Sequence, residues 1–125
     1  MKFKKIGQRL AVCRLGPDAQ IPANITSISF LSITRTEDEL SIVLPETLAN
    51  SAWEIEPGWQ GLKIEGPLDF SMVGVVAKIS APLADAGIPI FVISTFDTDY
   101  LLTKDVHFEN ACKILKQQGH SILAE

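Results

Sequence analysis

Trp59 to Lys104 reads WQGLKIEGPLDFSMVGVVAKISAPLADAGIPIFVISTFDTDYLLTK, and its order of elements decides the fold. WQGLKIE (59–65) alternates apolar and polar residues, the signature of a half-buried strand. Ser71 is placed to cap a helix over 72–86, where Val73, Val76, Ile79 and Leu83 share one face. Pro82 falls inside that helix and predicts a kink or an altered last turn; Gly87 is a natural C-terminal stop. IPIFVIST (88–95) is apolar on both faces, as a covered central strand should be. The turn Phe96-Asp97-Thr98 returns the chain into Asp99–Lys104.

Working outward, Asp105 is placed to cap a second helix over 107–118, with Phe108, Ala111, Cys112 and Leu115 on one face. Gly119 ends it, and HSIL (120–123) supplies a last strand. The order β-α-β-β-α-β predicts an α+β, ferredoxin-like unit: a four-stranded antiparallel sheet with both helices on one face and the other face in need of a cover.

The first half is less regular. RLAVCRL (9–15) reads as a strand. Pro17 and Pro22 limit the next segment to at most a short helical turn. SISFLSITR (27–35) and LSIVL (40–44) form a hairpin around Thr36-Glu37-Asp38-Glu39. Pro45–Ser51 has room for one helical turn and 52–56 for a short edge strand. Pro57-Gly58 is the clearest punctuation in the chain, so the division expected is 1–57 and 58–125. FLSITRTEDELSIVLPE (30–46) echoes FVISTFDTDYLLTKDV (91–106), which reads as an internal repeat whose N-terminal copy is degenerate and has lost most of its helices.

At 125 residues and 46% hydrophobic, the chain holds enough apolar material for a core. A net charge of −4 argues against nucleic acid or an anionic membrane as main partner, since both need a basic surface. Cys13 and Cys112, far apart and each in an apolar segment, read as buried free thiols in a reducing compartment. The basic N-terminus leads into an apolar run that Arg14 cuts too short for an export signal. A cytoplasmic location is expected.

No catalytic constellation assembles. His107 and His120 have no metal-ligand spacing to a cysteine or carboxylate. There is no glycine-rich phosphate loop, Cys-x-x-Cys or nucleophile elbow. Asp97, Asp99 and Asp105 read as solvated or capping turn acids rather than a metal site. The expectation is a protein that is not an enzyme and needs no cofactor. A zwitterion, by contrast, suits the residues present. The start of the 72–86 helix offers backbone donors and a favourable dipole to a carboxylate, and Gly74 permits close approach. Asp69 and Asp99 are acids for an ammonium; Thr95 and Phe96 add a hydroxyl and an apolar wall. The same residues also have a structural reading, with Gly74 allowing helix–strand packing and Asp69 or Ser71 only capping.

Asp69, Gly74-Val75-Val76, Ala81-Pro82-Leu83-Ala84, Gly87-Ile88, Ser94-Thr95-Phe96, Asp99 and Leu101-Leu102 together resemble the ACT domain, a small ligand-binding regulatory module. They resemble in particular the subtype of the CASTOR-type arginine sensors and of small tandem-ACT proteins related to them, and the first half is similar to the degenerate copy that precedes a full one. The resemblance implies two ferredoxin-like ACT subdomains and a free amino acid bound between ACT domains. It implies a wall made of Asp69, Gly74, Val75, Thr95, Phe96 and Asp99; Phe70, Ser71 and Val73, in the turn leading into the helix, complete the ligand-binding set expected. The facing wall would come from positions near Lys78 and Ile79 of another full copy, hence a homodimer and a possible regulated protein partner. The alternative is a structural or protein–protein interaction module of the same fold that binds no ligand.

Overall fold

The computed structural model describes residues 1–25, 28–66 and 72–124. The chain divides into two compact units, Met1–Gly7 with Gln60–Glu125, and Gln8–Trp59. Among the described residues nine strands and α-helices supply them: β1 (Lys2–Leu15), β2 (Ser32–Arg35), β3 (Leu40–Pro45), β4 (Glu54–Ile64), α1 (Val75–Asp85), β5 (Phe91–Ser94), β6 (Asp99–Lys104), α2 (Asp105–Gln117) and β7 (Ser121–Leu123).

The larger unit has the expected order, β4-α1-β5-β6-α2-β7. Its sheet differs from the four antiparallel strands expected, because the start of β1 is inserted between β7 and β4. Lys2–Lys4 pairs in parallel with Ser121–Leu123, and the Glu65 amide donates to the Lys2 carbonyl at 2.8 Å. Alternation explains the insertion: Phe3 is fully buried while Lys2 and Lys4 stay exposed. The first seven residues therefore belong with the C-terminal unit, which a division made along the chain at Pro57-Gly58 does not anticipate.

One face of this sheet packs on both helices. Ile79 and Leu83 of α1, and Phe108, Ala111, Cys112 and Leu115 of α2, meet Phe3, Leu62, Ile64 and Leu101 in one core. Both helices end alike. The Gly87 amide reaches the Ala84 carbonyl at 2.9 Å and Ile88 reaches Leu83 at 3.0 Å; Gly119 reaches Lys116 at 3.0 Å and His120 reaches Leu115 at 3.1 Å. These paired bonds close the last carbonyls around a left-handed residue, which is why glycine stands at both positions, with φ of 73° and 91°.

Helix α1 begins at Val75, three residues later than Ser71 capping predicts, and Ser71 itself lies outside the described residues. Gly74 occupies the cap position in the left-handed region, φ 77° and ψ 9°, with no side-chain cap. Val73 consequently leaves the helical face that the spacing assigns to it and is 94% exposed. Helix α2 runs Asp105–Gln117, so Asp105 sits in its first turn rather than before it, where a carboxylate still complements the helix dipole.

The second unit, Gln8–Trp59, is built on β1, β2 and β3. Leu10–Leu15 pairs antiparallel with Leu40–Pro45, which pairs in turn with Ser32–Arg35. Two 3-10 turns, Ala23–Ile25 and Glu46–Leu48, stand where a full copy would have helices. Cys13, Ile25, Leu40, Ile42 and Leu44 form its core. The two short strands expected on either side of Pro57-Gly58 are one continuous strand, β4. Gly58 sits within it at a positive φ, 79°, which glycine adopts without a steric cost, and its amide is held by the Glu46 carboxylate at 2.9 Å. Both cysteines are free and buried.

Candidate functional site

Within the larger unit, the β5–β6 turn and the start of α1 line one open cavity of about 480 Å³. The turn is built by Thr95 and Thr98. The Thr95 amide donates to the Thr98 carbonyl at 2.8 Å, and the Thr95 hydroxyl donates to the same oxygen at 3.1 Å. That hydroxyl also accepts the Thr98 amide at 3.3 Å. Thr98 is only 4% exposed, and its own hydroxyl donates to the Ile64 carbonyl at 2.7 Å. The turn is thereby pinned to β4, and the residues between its ends are presented outward. At its base, Ser94 and Asp99 face each other as the last rung of the β5–β6 ladder, and the Ser94 hydroxyl donates to the Asp99 carboxylate at 2.5 Å.

Across the same cavity lie Met72, Gly74, Val75, Val76 and Ala77. The first amides of a helix have no carbonyl one turn earlier to bond to, so this end offers donors and a partial positive charge. The first intrahelical bond recorded runs from the Lys78 amide to the Gly74 carbonyl, 2.9 Å. Any Cβ built at Gly74 would meet nothing within 4 Å, so the glycine is needed for its backbone conformation and not for room. The cavity thus combines amide donors from α1 with hydroxyls and carboxylates from the turn.

Of the residues expected here, Gly74, Val75, Thr95, Phe96 and Asp99 line the cavity. Val73 does not; it points to solvent. Asp69, Phe70 and Ser71 lie outside the described residues. Ser94, Asp97 and Thr98 also line it, as do Met72, Val76 and Ala77. Their signal is present in the chain: Ser94, Asp97 and Thr98 share the turn with Thr95 and Asp99, and Val76 and Ala77 come directly after a helix start at 75. Asp105, grouped with Asp97 and Asp99 in sequence, is used elsewhere, accepting a bond from the Gln60 side-chain amide. Ile79, named for the facing wall, is 3% exposed in the core and is not available to another molecule; Lys78 beside it is exposed.

The apolar rim is conspicuous. Phe96 is 80% exposed and Met72 47%. Among the described residues no group of histidine, cysteine and carboxylate side chains is arranged to hold a metal ion, and no helix is long and apolar enough to cross a membrane.

Comparison with known proteins places this geometry. Residues 54–117 match the family model of the ACT domain, and residues 8–48 match a separate model of an N-terminal domain. The human cytosolic arginine sensor for mTORC1 subunit 1 is 33% identical over 108 residues, covering 78% of this chain and 32% of the sensor. The chain thus spans about a third of the length of the curated relatives it matches. A solved structure from Agobacterium tumefaciens is 40% identical, with a TM-score of 0.92 over 99% of this chain and 92% of that one. The ligand-free regulatory subunit of aspartate kinase from Thermus thermophilus shares the fold, with a TM-score of 0.61 at 15% identity over 88% of this chain and 92% of that one. The cavity at the start of α1 therefore sits in a chain that belongs to the ACT domain family.

Proposed function

We propose that this chain is a non-catalytic regulatory module that binds a free amino acid in the cavity between the start of α1 and the β5–β6 turn. One observation carries the reading. The Asp99 carboxylate and the amide donors at Val75–Ala77 line the same cavity, and an amino acid presents an ammonium and a carboxylate that need those opposite partners. The volume, about 480 Å³, is that of a small-molecule site. Thr95 and Ser94 supply hydroxyls beside the acid. The human relative's name as an arginine sensor supports an amino acid as ligand class.

The cavity is open to solvent, and Phe96 and Met72 rim it with exposed apolar surface. A second copy of the chain seated on that rim would exclude water and complete the pocket, so the working form is a homodimer acting in the cytoplasm. Lys78, exposed one turn into α1, is available to the facing wall; Ile79 is not.

The test is thermal unfolding of the full chain against each of the twenty amino acids. One or a chemically related few should raise the melting temperature by mass action, by about 2.7 kcal/mol of stability at a hundredfold excess over Kd. Asp99→Ala should remove that rise while leaving the unliganded transition cooperative. A flat panel from a cooperatively folded protein overturns the proposal. It would favour the module that binds only protein, which the 80% exposure of Phe96 also suits.

A further inference from the structure

A second cavity lies in the same unit, away from the turn, between β1 and α2. It is open, about 710 Å³, and its floor is Phe108 and Cys112. Around the floor stand Lys5, Lys113 and Lys116, opposed by the single carboxylate of Glu109. Three ammonium groups against one carboxylate leave two positive charges in excess, in a chain whose net charge is −4. Among the described residues none of the three lysines is held in an ion pair. The Lys5 ammonium sits 5.9 Å from the centre of the Phe108 ring, which fixes it over the floor by cation–π attraction.

The Cys112 thiol reports the same convergence. Burial pushes its pKa up most, Lys5 and Lys116 pull it the other way, and Glu109 adds a smaller upward push. Both ammonium groups are therefore close enough to act on one point at the bottom of the groove, although one comes from β1 and the other from the last turn of α2.

We propose that this groove is a second ligand site, for a phosphorylated small molecule. Lysine is a compact point charge, suited to the separate oxygens of a phosphate, and no arginine is present to grip a planar carboxylate in two-point fashion. A bare phosphate would leave most of the volume empty. The rest is bordered by the lysines' aliphatic stems and the exposed edges of Phe108 and Cys112, where the organic body of a phosphate ester would lie while the ammonium groups hold its charge. The site shares no residue with the α1 cavity, so it stands whether or not an amino acid binds there.

The experiment is an amide NMR titration of the full chain with glucose 6-phosphate and with inorganic pyrophosphate, the second lacking an organic body. Saturable shifts confined to β1 and residues 108–117 of α2 are expected, larger in affinity for the sugar phosphate. Lys5→Gln with Lys116→Gln should weaken binding about tenfold or more, as two charge-assisted contacts are lost. Lys4→Gln, one residue away on the opposite side of β1, should not. Equal weakening by Lys4→Gln, or shifts spread over the surface without saturation, would mean a diffuse field and overturn the site. Binding of an acidic peptide with no response to either phosphate would overturn the ligand class. Melting curves of each variant establish that loss of binding is not loss of fold.

Discussion

The β2–β3 hairpin pairs Ser32–Arg35 with Leu40–Val43, and the β5–β6 hairpin pairs Phe91–Ser94 with Asp99–Leu102. Each is four rungs long and closed by four residues. The closures share two bonds. The Thr36 amide donates to the Glu39 carbonyl at 2.9 Å, and the Thr36 hydroxyl accepts the Glu39 amide at 3.2 Å. Thr95 and Thr98 make the same two bonds at 2.8 and 3.3 Å. The repeat read in sequence is thus a repeat of turn chemistry. What separates the copies lies at the last rung and beside it. In one unit the rung is Ser94–Asp99, a hydroxyl and a carboxylate facing a cavity with a helix start opposite. In the other it is Arg35–Leu40, and the Arg35 guanidinium is already spent on the carbonyls of Pro17 and Ala19. The same scaffold carries a candidate site where a helix and an acid accompany it, and a closed structural joint where a loop and an arginine do.

The helix should therefore be the feature whose loss separates the two copies most. Leu83 is fully buried on α1, whereas the 3-10 turn at Glu46–Leu48 of the other unit leaves Leu48 39% exposed. Leu83→Ala should cost about 2–5 kcal/mol in chemical denaturation, and Leu48→Ala under about 1 kcal/mol. Equal costs would mean that the helices are not what distinguishes the units.

The two turns offer a finer contrast. Thr98→Val keeps the shape but leaves the buried Ile64 carbonyl without its donor, at about 1–3 kcal/mol. Thr36→Val removes only solvent-exposed turn bonds and should cost about 0.5–1.5 kcal/mol. The comparison fails if Thr36 proves the more costly of the two. Melting in parallel decides it.

Much of this is legible along the chain. The element order of the larger unit comes from apolar spacing, and the apolar face of α2 is the one read from Phe108, Ala111, Cys112 and Leu115. Both helix ends are marked by Gly87 and Gly119. Two things are not legible, and for physical reasons. Lys2–Lys4 pairs with β7 across nearly the whole chain, and no local pattern encodes a partner that distant. The start of α1 is misplaced by sequence because Ser71 is a good cap by type, while the positive φ at Gly74 is visible only in three dimensions. That shift puts Val73 onto a face it does not occupy. It also hides Val76 and Ala77, which a start at 75 brings to the cavity.

Gly74 then becomes the next place to press on the contrast, since no residue of the other unit's hairpin needs a positive φ. Gly74→Ala meets no neighbour, so its effect is purely conformational: about 1–2 kcal/mol for forcing an L-residue into the left-handed region. If a ligand binds the amides of α1's first turn, affinity should fall in step, because the helix start would shift to relieve the strain. Unchanged stability would show that the glycine is not held at φ 77° in solution.

The smallest effect expected is a difference in acid response, since both histidines fall in the larger unit and none in Gln8–Trp59. His120 lies edge-on to the Phe3 ring, centroids 5.5 Å apart, and its Nδ1 is 2.9 Å from the Met1 amino group. The ammonium donates, so Nδ1 accepts and the ring is neutral with its proton on Nε2. Burial first, then the Met1 charge and Lys78, hold its pKa below the usual 6.5. A depressed pKa means the unfolded chain binds the proton more readily. The stabilising effect is present in full above about pH 6.5 and is lost as pH falls through the depressed value. Amide protection factors should therefore fall in β7 and the start of β1 on mild acidification, with those of β2 and β3 unaffected. His120→Gln should flatten that response without altering exchange at neutral pH in the other unit. An acid response of equal size in both units, or one that persists in His120→Gln, would trace it to the carboxylates instead and erase this last difference between the copies.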